Sequence, residues 1–154
     1  MLSATSKYAL RALAYMASQP GGQSVLQKDL AKKVNIPSNY LYKVLLTLRN
    51  GGILTANRGI GGGYTLRKKP NEIHLIDVVG LFEGVKAEVS CILADDSPCS
   101  DHNPCSAHSS WRKVRRLYMQ FLEQTSIAEI ATYDGFGKKK KTKKQEIKVG
   151  SNSI

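Results

Sequence analysis

The chain has 154 residues, 42% of them hydrophobic, and a formal net charge of +11. This length allows one compact domain with short appended segments, and no apolar run reaches the roughly 18 residues of a membrane span. Nothing resembles the apolar core and cleavage site of a signal peptide, so we expect a cytoplasmic protein with no membrane partner and with reduced thiols.

The positive charge is concentrated at the two ends of the chain. Residues 1–70 contain eleven Lys and Arg against a single acidic residue, Asp29, whereas residues 71–137 contain ten Asp and Glu against five Lys and Arg. Residues 138–154 add seven lysines and one glutamate. A basic N-terminal half favours a polyanionic partner such as nucleic acid. A merely soluble basic surface would not explain why the charges are segregated.

Two helices are predicted before residue 35. The first covers residues 6–18, in which alanine and leucine side chains recur at helical spacing. Pro20-Gly21-Gly22 then breaks the chain. Ser24 and Gln27 have the spacing of a capping box. They predict a second, short helix whose inward-facing residues are Leu26, Leu30 and Val34.

A third helix is predicted to start at Ser38, after a connection of three residues, and to end at Gly51. Its apolar residues recur at i, i+3, i+4 and i+7, which places on one buried face Leu41, Val44, Leu45 and Leu48. Two short helices joined by a tight turn, with the second capped and amphipathic, are typical of a helix-turn-helix. Lys28 is a candidate phosphate contact, and the candidates for the major groove are Ser38, Asn39, Tyr42 and Lys43.

A β-hairpin is predicted next, with strands at residues 53–55 and 64–66. The turn at residues 58–63 is rich in glycine, which permits positive φ and lets the backbone of Gly59 approach a phosphate closely. The turn lacks the Gly-Lys-Ser/Thr sequence of a nucleotide-binding P-loop. We interpret the hairpin as the wing of a winged helix.

Four further segments complete the chain. Residues 72–84 predict a short helix. Residues 110–123 predict a longer one with a coiled-coil-like seam formed by Trp111, Val114, Tyr118 and Phe121. Apolar area of this size predicts a homodimer through residues 110–123. Ser126 and Glu129 form a capping box for a last short helix. The lysine-rich tail is expected to be disordered and to raise DNA affinity regardless of sequence.

Three cysteines and a histidine are grouped within eighteen residues, and the chain has no other cysteine. The spacing is Cys91-x7-Cys99-x5-Cys105-x2-His108. Thiolate and imidazole groups this close together suit a soft or borderline metal. Two alternatives stay open: a structural zinc ion on the same four ligands, and three reduced thiols without a metal. No CxxC pair is present to indicate a thiol redox enzyme, and we expect no enzymatic activity.

Several segments together are typical of one family. They are Tyr8-Ala9-Leu10-Arg11, Leu30-Ala31, Arg58-Gly59-x-Gly61-Gly62-Gly63-Tyr64-x-Leu66, Leu75-x-Asp77-Val78-Val79, Glu83-Gly84, the Cys/His loop and Trp111. With them the chain resembles, over roughly residues 3–132, the Rrf2 (Rrf-two) family of transcription regulators, which includes iron–sulfur and nitric oxide sensors.

The resemblance implies a homodimeric winged-helix protein that binds double-stranded DNA at a pseudo-palindromic operator, with long C-terminal helices crossing at the dimer interface. It also implies one iron–sulfur cluster per subunit. The x5 and x2 spacings match the family, whereas the first interval is x7 in place of the usual x5. Arg58 matches the family's minor-groove arginine. The implied cluster ligands are Cys91, Cys99, Cys105 and His108.

The resemblance also favours a 2Fe-2S cluster over a 4Fe-4S cluster. Family members with a 4Fe-4S cluster take a carboxylate from the first helix, and this chain has Lys7 at that position, directly before Tyr8. His108 is therefore the expected fourth ligand, and His102 is the weaker candidate.

We therefore predict a mainly α-helical protein with a small β-hairpin wing: a winged helix-turn-helix followed by a long dimerisation helix. The expected division is a DNA-binding domain at 1–84, a cluster-binding loop at 85–109, dimerisation and cap helices at 110–133, and a basic tail at 134–154. The expected function is transcriptional regulation, by repression, with operator binding modulated by the cluster. A zinc-binding structural protein and a cluster-free winged-helix regulator of the same family are the competing interpretations.

Overall fold

The computed structural model describes residues 2–84, residue 91 and residues 99–131. It is mainly α-helical with one two-stranded antiparallel hairpin, which confirms the predicted fold class. The lysine-rich tail and most of the loop between Glu83 and Cys99 lie outside the described residues. The elements are α1 Ala4–Ala17, α2 Gln27–Val34, α3 Ser38–Asn50, β1 Leu54–Asn57, β2 Gly63–Leu66, α4 Leu75–Glu83, α5 His108–Gln124 and α6 Ile127–Ala131.

Helix α1 lies at the centre of the fold because its alanine and leucine residues present small and apolar surface on most of its circumference. It packs against α2, α3, α4 and α6. The predicted stripe of α3 is buried and joins the same core. That core also contains Leu122 of α5 and Ile127 of α6, both fully buried. The C-terminal helices are therefore anchored to the helix-turn-helix by one continuous hydrophobic core.

The wing is joined to the rest of the domain by backbone pairing. Strands β1 and β2 are antiparallel, with Leu54 opposite Leu66 and Asn57 opposite Gly63. Val25, just before α2, pairs in turn with Tyr64 through two N–H···O bonds of 2.9 Å. The hairpin is thus extended by one residue of the segment that leads into α2.

This pairing overturns the predicted capping box at Ser24. Helix α2 starts at Gln27, its N-cap is Leu26, and no side chain caps it. Leu26 is 52% exposed rather than inward-facing. A cap at Ser24 would require Val25 and Leu26 to form the first helical turn, but Val25 is paired with Tyr64 and Leu26 is extended. The Ser24 hydroxyl is buried and has no hydrogen-bond partner among the described residues.

The predicted start of α3 at Ser38 is confirmed. Its N-cap is Pro37, and no side chain caps it. The side-chain amide of Gln27 donates instead to the Ser38 carbonyl at 3.1 Å, which joins the starts of α2 and α3. Asn35 ends α2 in the left-handed conformation, with φ of 53°, a conformation that asparagine adopts more readily than most residues. The three-residue turn depends on it.

Helix α4 begins at Leu75 rather than at residue 72, because the chain ahead of it is extended and paired with the start of α6. Ile127 donates its N–H to the Ile73 carbonyl at 2.8 Å, and Leu75 donates to the Thr125 carbonyl at 3.0 Å. The capping box of Ser126 and Glu129 is confirmed, with the Glu129 carboxylate accepting from the Ser126 amide at 2.9 Å. Two helix starts that are distant in sequence thus hold each other in place.

Helix α5 is confirmed, but its apolar residues divide between two faces. Leu122 is its fully buried residue, and Tyr118 packs against the chain's own core. Tyr118 is therefore not part of the outward seam, and α5 packs here against α4. Burial and the nearby charge of Glu83 raise the pKa of Tyr118. The outward stripe, hereafter the α5 stripe, consists of Val114, Leu117 and Phe121, exposed by 52%, 63% and 50%.

Replacing Gly63 by alanine should destabilise the fold. Its φ is +135°, and an added Cβ would lie 2.6 Å from the Val25 carbonyl oxygen. We expect Gly63→Ala to cost about 2 kcal/mol or more. Gly80, inside α4, has open space around it, so Gly80→Ala is the matched control and should stabilise by roughly 0.5–1 kcal/mol. Urea unfolding followed by circular dichroism at fixed protein concentration measures both, and equal midpoints for the two variants would contradict this account.

Candidate metal centre and nucleic-acid interface

The structure brings the four predicted ligands together as two close pairs. The sulfur atoms of Cys91 and Cys105 are 3.2 Å apart, and the Cys99 sulfur lies 3.1 Å from Nδ1 of His108. The three sulfur atoms all lie within 4.8 Å of one another, and all three cysteines are free thiols. A peptide N–H of Cys105 also points at the Cys99 sulfur at 3.4 Å.

The distances between the donor atoms fit a metal centre. Sulfur ligands of one tetrahedral metal at about 2.3 Å are separated by roughly 3.8 Å, within the spread seen here. The closest contacts are those of Cys91 with Cys105 and of Cys99 with His108. The three sulfur atoms therefore suit a metal ion or an iron–sulfur cluster, and His108 is the candidate fourth donor beside Cys99.

His108 contacts Asp101 on its other side, and Asp101 in turn contacts Arg112; the sequence predicted neither contact. Its Nε2 lies 2.8 Å from Oδ1 of Asp101, and the same oxygen is 3.4 Å from Nη1 of Arg112. The hydrogen bond to His108, with the charge of Arg112, lowers the pKa of Asp101. The spacing of the cysteines contains no signal for this contact, because Asp101 could equally have faced solvent.

The remaining candidates near the ligands are not brought to them. His102 is exposed and lies in the loop between Cys99 and Cys105, and Lys7 is exposed on α1. The carboxylate that contacts the start of α1 comes from α4: Glu83 accepts hydrogen bonds from the Ser3 amide at 2.8 Å and from the Ser6 hydroxyl at 2.6 Å. Burial opposes its ionisation, but these hydrogen bonds outweigh it and lower the pKa of Glu83.

The predicted DNA-contact residues are all exposed. Those of α3 occupy its first two turns on the face opposite the buried stripe, and Lys28 is on the outer face of α2. Arg11 supports this arrangement, because its guanidinium donates to the Val34 carbonyl at the end of α2 at 2.6 Å. The exposed residues are Lys28, Ser38, Asn39, Tyr42, Lys43, Arg58 and Gly59.

A cleft of about 520 Å³ runs beside α3 and was not foreseen from the sequence. Its walls include Asn39 and Lys43 from α3 and Ala4 from α1. The rings of Tyr8 and Tyr40 meet edge to face with centroids 5.4 Å apart. This contact fixes the start of α1 beside the exposed face of α3, and it could have been suspected only from the aromatic character of both positions.

The tip of the wing is a tight turn that presents two side chains outward. The amide of Gly62 donates to the Gly59 carbonyl at 2.9 Å, and both Gly59 and Gly61 have positive φ. Arg58 is exposed at the base of this turn. Ile60 is fully exposed at its apex, an apolar contact point that the sequence reading did not single out.

None of the helices in residues 2–84 and 99–131 combines the length and apolarity required to span a bilayer.

Residues 2–133 match the family model described as Rrf2, iron-dependent transcriptional regulator. The chain is 34% identical over 131 residues to a protein of Mycobacterium tuberculosis named as an HTH-type transcriptional regulator, covering 84% of this chain and 80% of the relative. It is 30% identical to the HTH-type transcriptional regulator NsrR of Halalkalibacterium halodurans, covering 85% and 90%.

Solved structures show the same fold. CymR, described as the global cysteine regulator of Bacillus subtilis, superposes with a TM-score of 0.72 at 26% identity, covering 86% of this chain and 97% of CymR. IscR of T. potens superposes with a TM-score of 0.67 at 24% identity, covering 86% of both chains.

Proposed function

Because the chain belongs to the Rrf2 family of transcriptional regulators, which act on DNA, we propose that it is a homodimer whose operator binding is modulated by an iron–sulfur cluster. The proposed ligands are Cys91, Cys99, Cys105 and His108, with a 2Fe-2S cluster preferred over a 4Fe-4S cluster. The division into a DNA-binding domain (1–84), a cluster loop (85–109), C-terminal helices (110–133) and a basic tail (134–154) belongs to the same proposal.

The observation that carries the proposal is the pairing of four soft or borderline donors at 3.1 and 3.2 Å. Thiolates hold iron–sulfur clusters, and a histidine ligand raises their reduction potential. When bound, such a cluster supplies a centre that is sensitive to redox state and oxidants. A mononuclear zinc ion is the second candidate, favoured by the 4.8 Å limit on all three sulfur separations.

The DNA-binding surface is proposed from exposure, charge and rigidity. The outward residues of α3 would enter the major groove, and Lys28 would contact phosphate. Arg58 would enter a narrow minor groove, whose negative potential attracts arginine, with Gly59 at the adjacent backbone. The Val25–Tyr64 pairing supports this division of labour, because it holds the wing at a fixed position relative to α2.

Helix α5 would connect the metal centre to the DNA-binding domain. His108 is its first residue and Leu122, near its end, is fully buried in the core that contains α1 and α3. The α5 stripe between them would pack on a second copy of the chain. A change in the loop at 91–108 would then alter the crossing of the two helices and the separation of the recognition helices, which must match the operator half-sites.

The cluster is tested by anaerobic purification. We expect a brown protein with about two irons and two sulfides per chain, as a 2Fe-2S cluster requires. His108→Ala should change the visible spectrum and weaken cluster retention. His102→Ala is the matched control and should leave both unchanged. A colourless protein containing only zinc would favour the second candidate and reject the sensor.

The minor-groove role of Arg58 is tested by DNA affinity. Arg58→Ala should weaken binding about 10-fold or more, most strongly on operators with A·T-rich tracts near the wing. Arg67→Ala removes the same charge beyond the end of β2 and should cause a smaller loss that is independent of sequence.

Deleting residues 138–154 should weaken binding to all sequences and reduce the salt dependence of the DNA affinity. If that deletion abolished discrimination between operator and random DNA, the tail would be part of the reader.

The α5 stripe is tested by sedimentation. The wild type should be a dimer at micromolar concentration, since an apolar stripe of this kind is better covered by a partner than exposed. Val114→Glu and Phe121→Glu should weaken the dimer about 100-fold or more, because they place a carboxylate in the interface. The control is Gln120→Glu, which adds the same charge at an exposed position about 100° around the helix from Phe121. A dimer that persists in both variants would place the interface elsewhere.

A further inference from the structure

His108 has two ring nitrogens, and the structure gives each a different neighbour. Nδ1 faces the Cys99 sulfur at 3.1 Å, and Nε2 faces Oδ1 of Asp101 at 2.8 Å. A neutral imidazole carries one proton, and the nitrogen without it is the one that binds a metal. Which nitrogen that is depends on the hydrogen bond made by the other.

We propose that Asp101 is the positioning residue of the metal centre: it accepts the Nε2–H of His108 and thereby directs the unprotonated Nδ1 toward the cysteines. The inference rests on the proposed function in that His108 is taken to be a ligand. A carboxylate suits the role because it accepts hydrogen bonds only and cannot stabilise the opposite tautomer while ionised.

Arg112 fixes the carboxylate from the other side. It lies four residues after His108, one helical turn along α5 and on the same face, and its Nη1 is 3.4 Å from the oxygen that His108 contacts. Asp101 therefore bridges two residues of the first turns of α5 from the loop between Cys99 and Cys105. The imidazole is 20% exposed and the carboxylate 71% exposed, so the carboxylate can be replaced without disturbing the core.

The carboxylate also affects the electronic character of its histidine. A hydrogen bond from a ligating histidine to a carboxylate raises the basicity of the ligand, and a nearby negative charge disfavours the addition of an electron to the centre. Removing the charge while keeping the shape, as in Asp101→Asn, should therefore move the reduction potential of the reconstituted protein to a more positive value.

The first measurement needs no metal. In the full-length metal-free protein, nitrogen-15 NMR above the imidazole pKa should find His108 predominantly as the Nε2–H tautomer. Asp101→Ala should convert it to a mixture of tautomers, and Asp101→Glu should restore the wild-type form in part. His102→Ala is the control and should leave the His108 resonances in place. A wild-type Nδ1–H tautomer, or a tautomer unchanged in Asp101→Ala, would overturn the proposal.

The second measurement uses protein reconstituted with iron and sulfide. With the iron content of each sample measured and the potential determined on the iron-loaded fraction, Asp101→Asn should show a more positive midpoint potential and a changed nitrogen coupling in the electron spin-echo spectrum of the reduced protein. An unchanged potential and coupling would reject the positioning role. If no variant, including the wild type, takes up iron while the tautomer responds to Asp101, then the proposed cluster fails and the positioning of His108 stands.

Discussion

Two backbone hydrogen bonds between Val25 and Tyr64, each 2.9 Å long, fix the relation between the wing and the helix-turn-helix. They require the chain at Gly63 to pass so close to the Val25 carbonyl that no side chain fits between them. They also keep Val25 out of the helix, so that α2 begins at Gln27. The proposed DNA-binding residues of the wing and of the helix-turn-helix are therefore joined through backbone hydrogen bonds, which fix the position of the wing relative to α2.

The sequence predicts most of the fold because its signals are periodic and local. The stripe of Leu41, Val44, Leu45 and Leu48 specifies the buried face of α3 without reference to any other segment, and the glycines at 58–63 specify the turn of the wing. The capping box at Ser24 fails because a strand pairing made 39 residues later competes for the same backbone. A local sequence pattern contains no information about pairing with a distant segment.

For the candidate site too, the sequence predicts one part and leaves another undetermined. The spacing of Cys91, Cys99, Cys105 and His108 indicates a donor set, and the structure places those donors together. Their arrangement in pairs and the contact of Asp101 depend on the path of the loop, which spacing does not specify. The seam of α5 is a related case, because periodicity finds apolar positions but cannot tell that Tyr118 packs against its own chain while Leu117 faces outward.

Helix α5 carries its charge in an unusual place. Four basic residues lie in its first nine positions, its first turn has no acidic residue, and its last turn has no basic one. Negative charge near a helix N-terminus is favourable because of the helix dipole, and α5 supplies none from its own first turn. The Asp101 carboxylate lies 2.8 Å from Nε2 of His108 and 3.4 Å from Nη1 of Arg112, so a loop residue provides that charge. The start of α5 therefore depends on the preceding loop as well as on the helix's own residues.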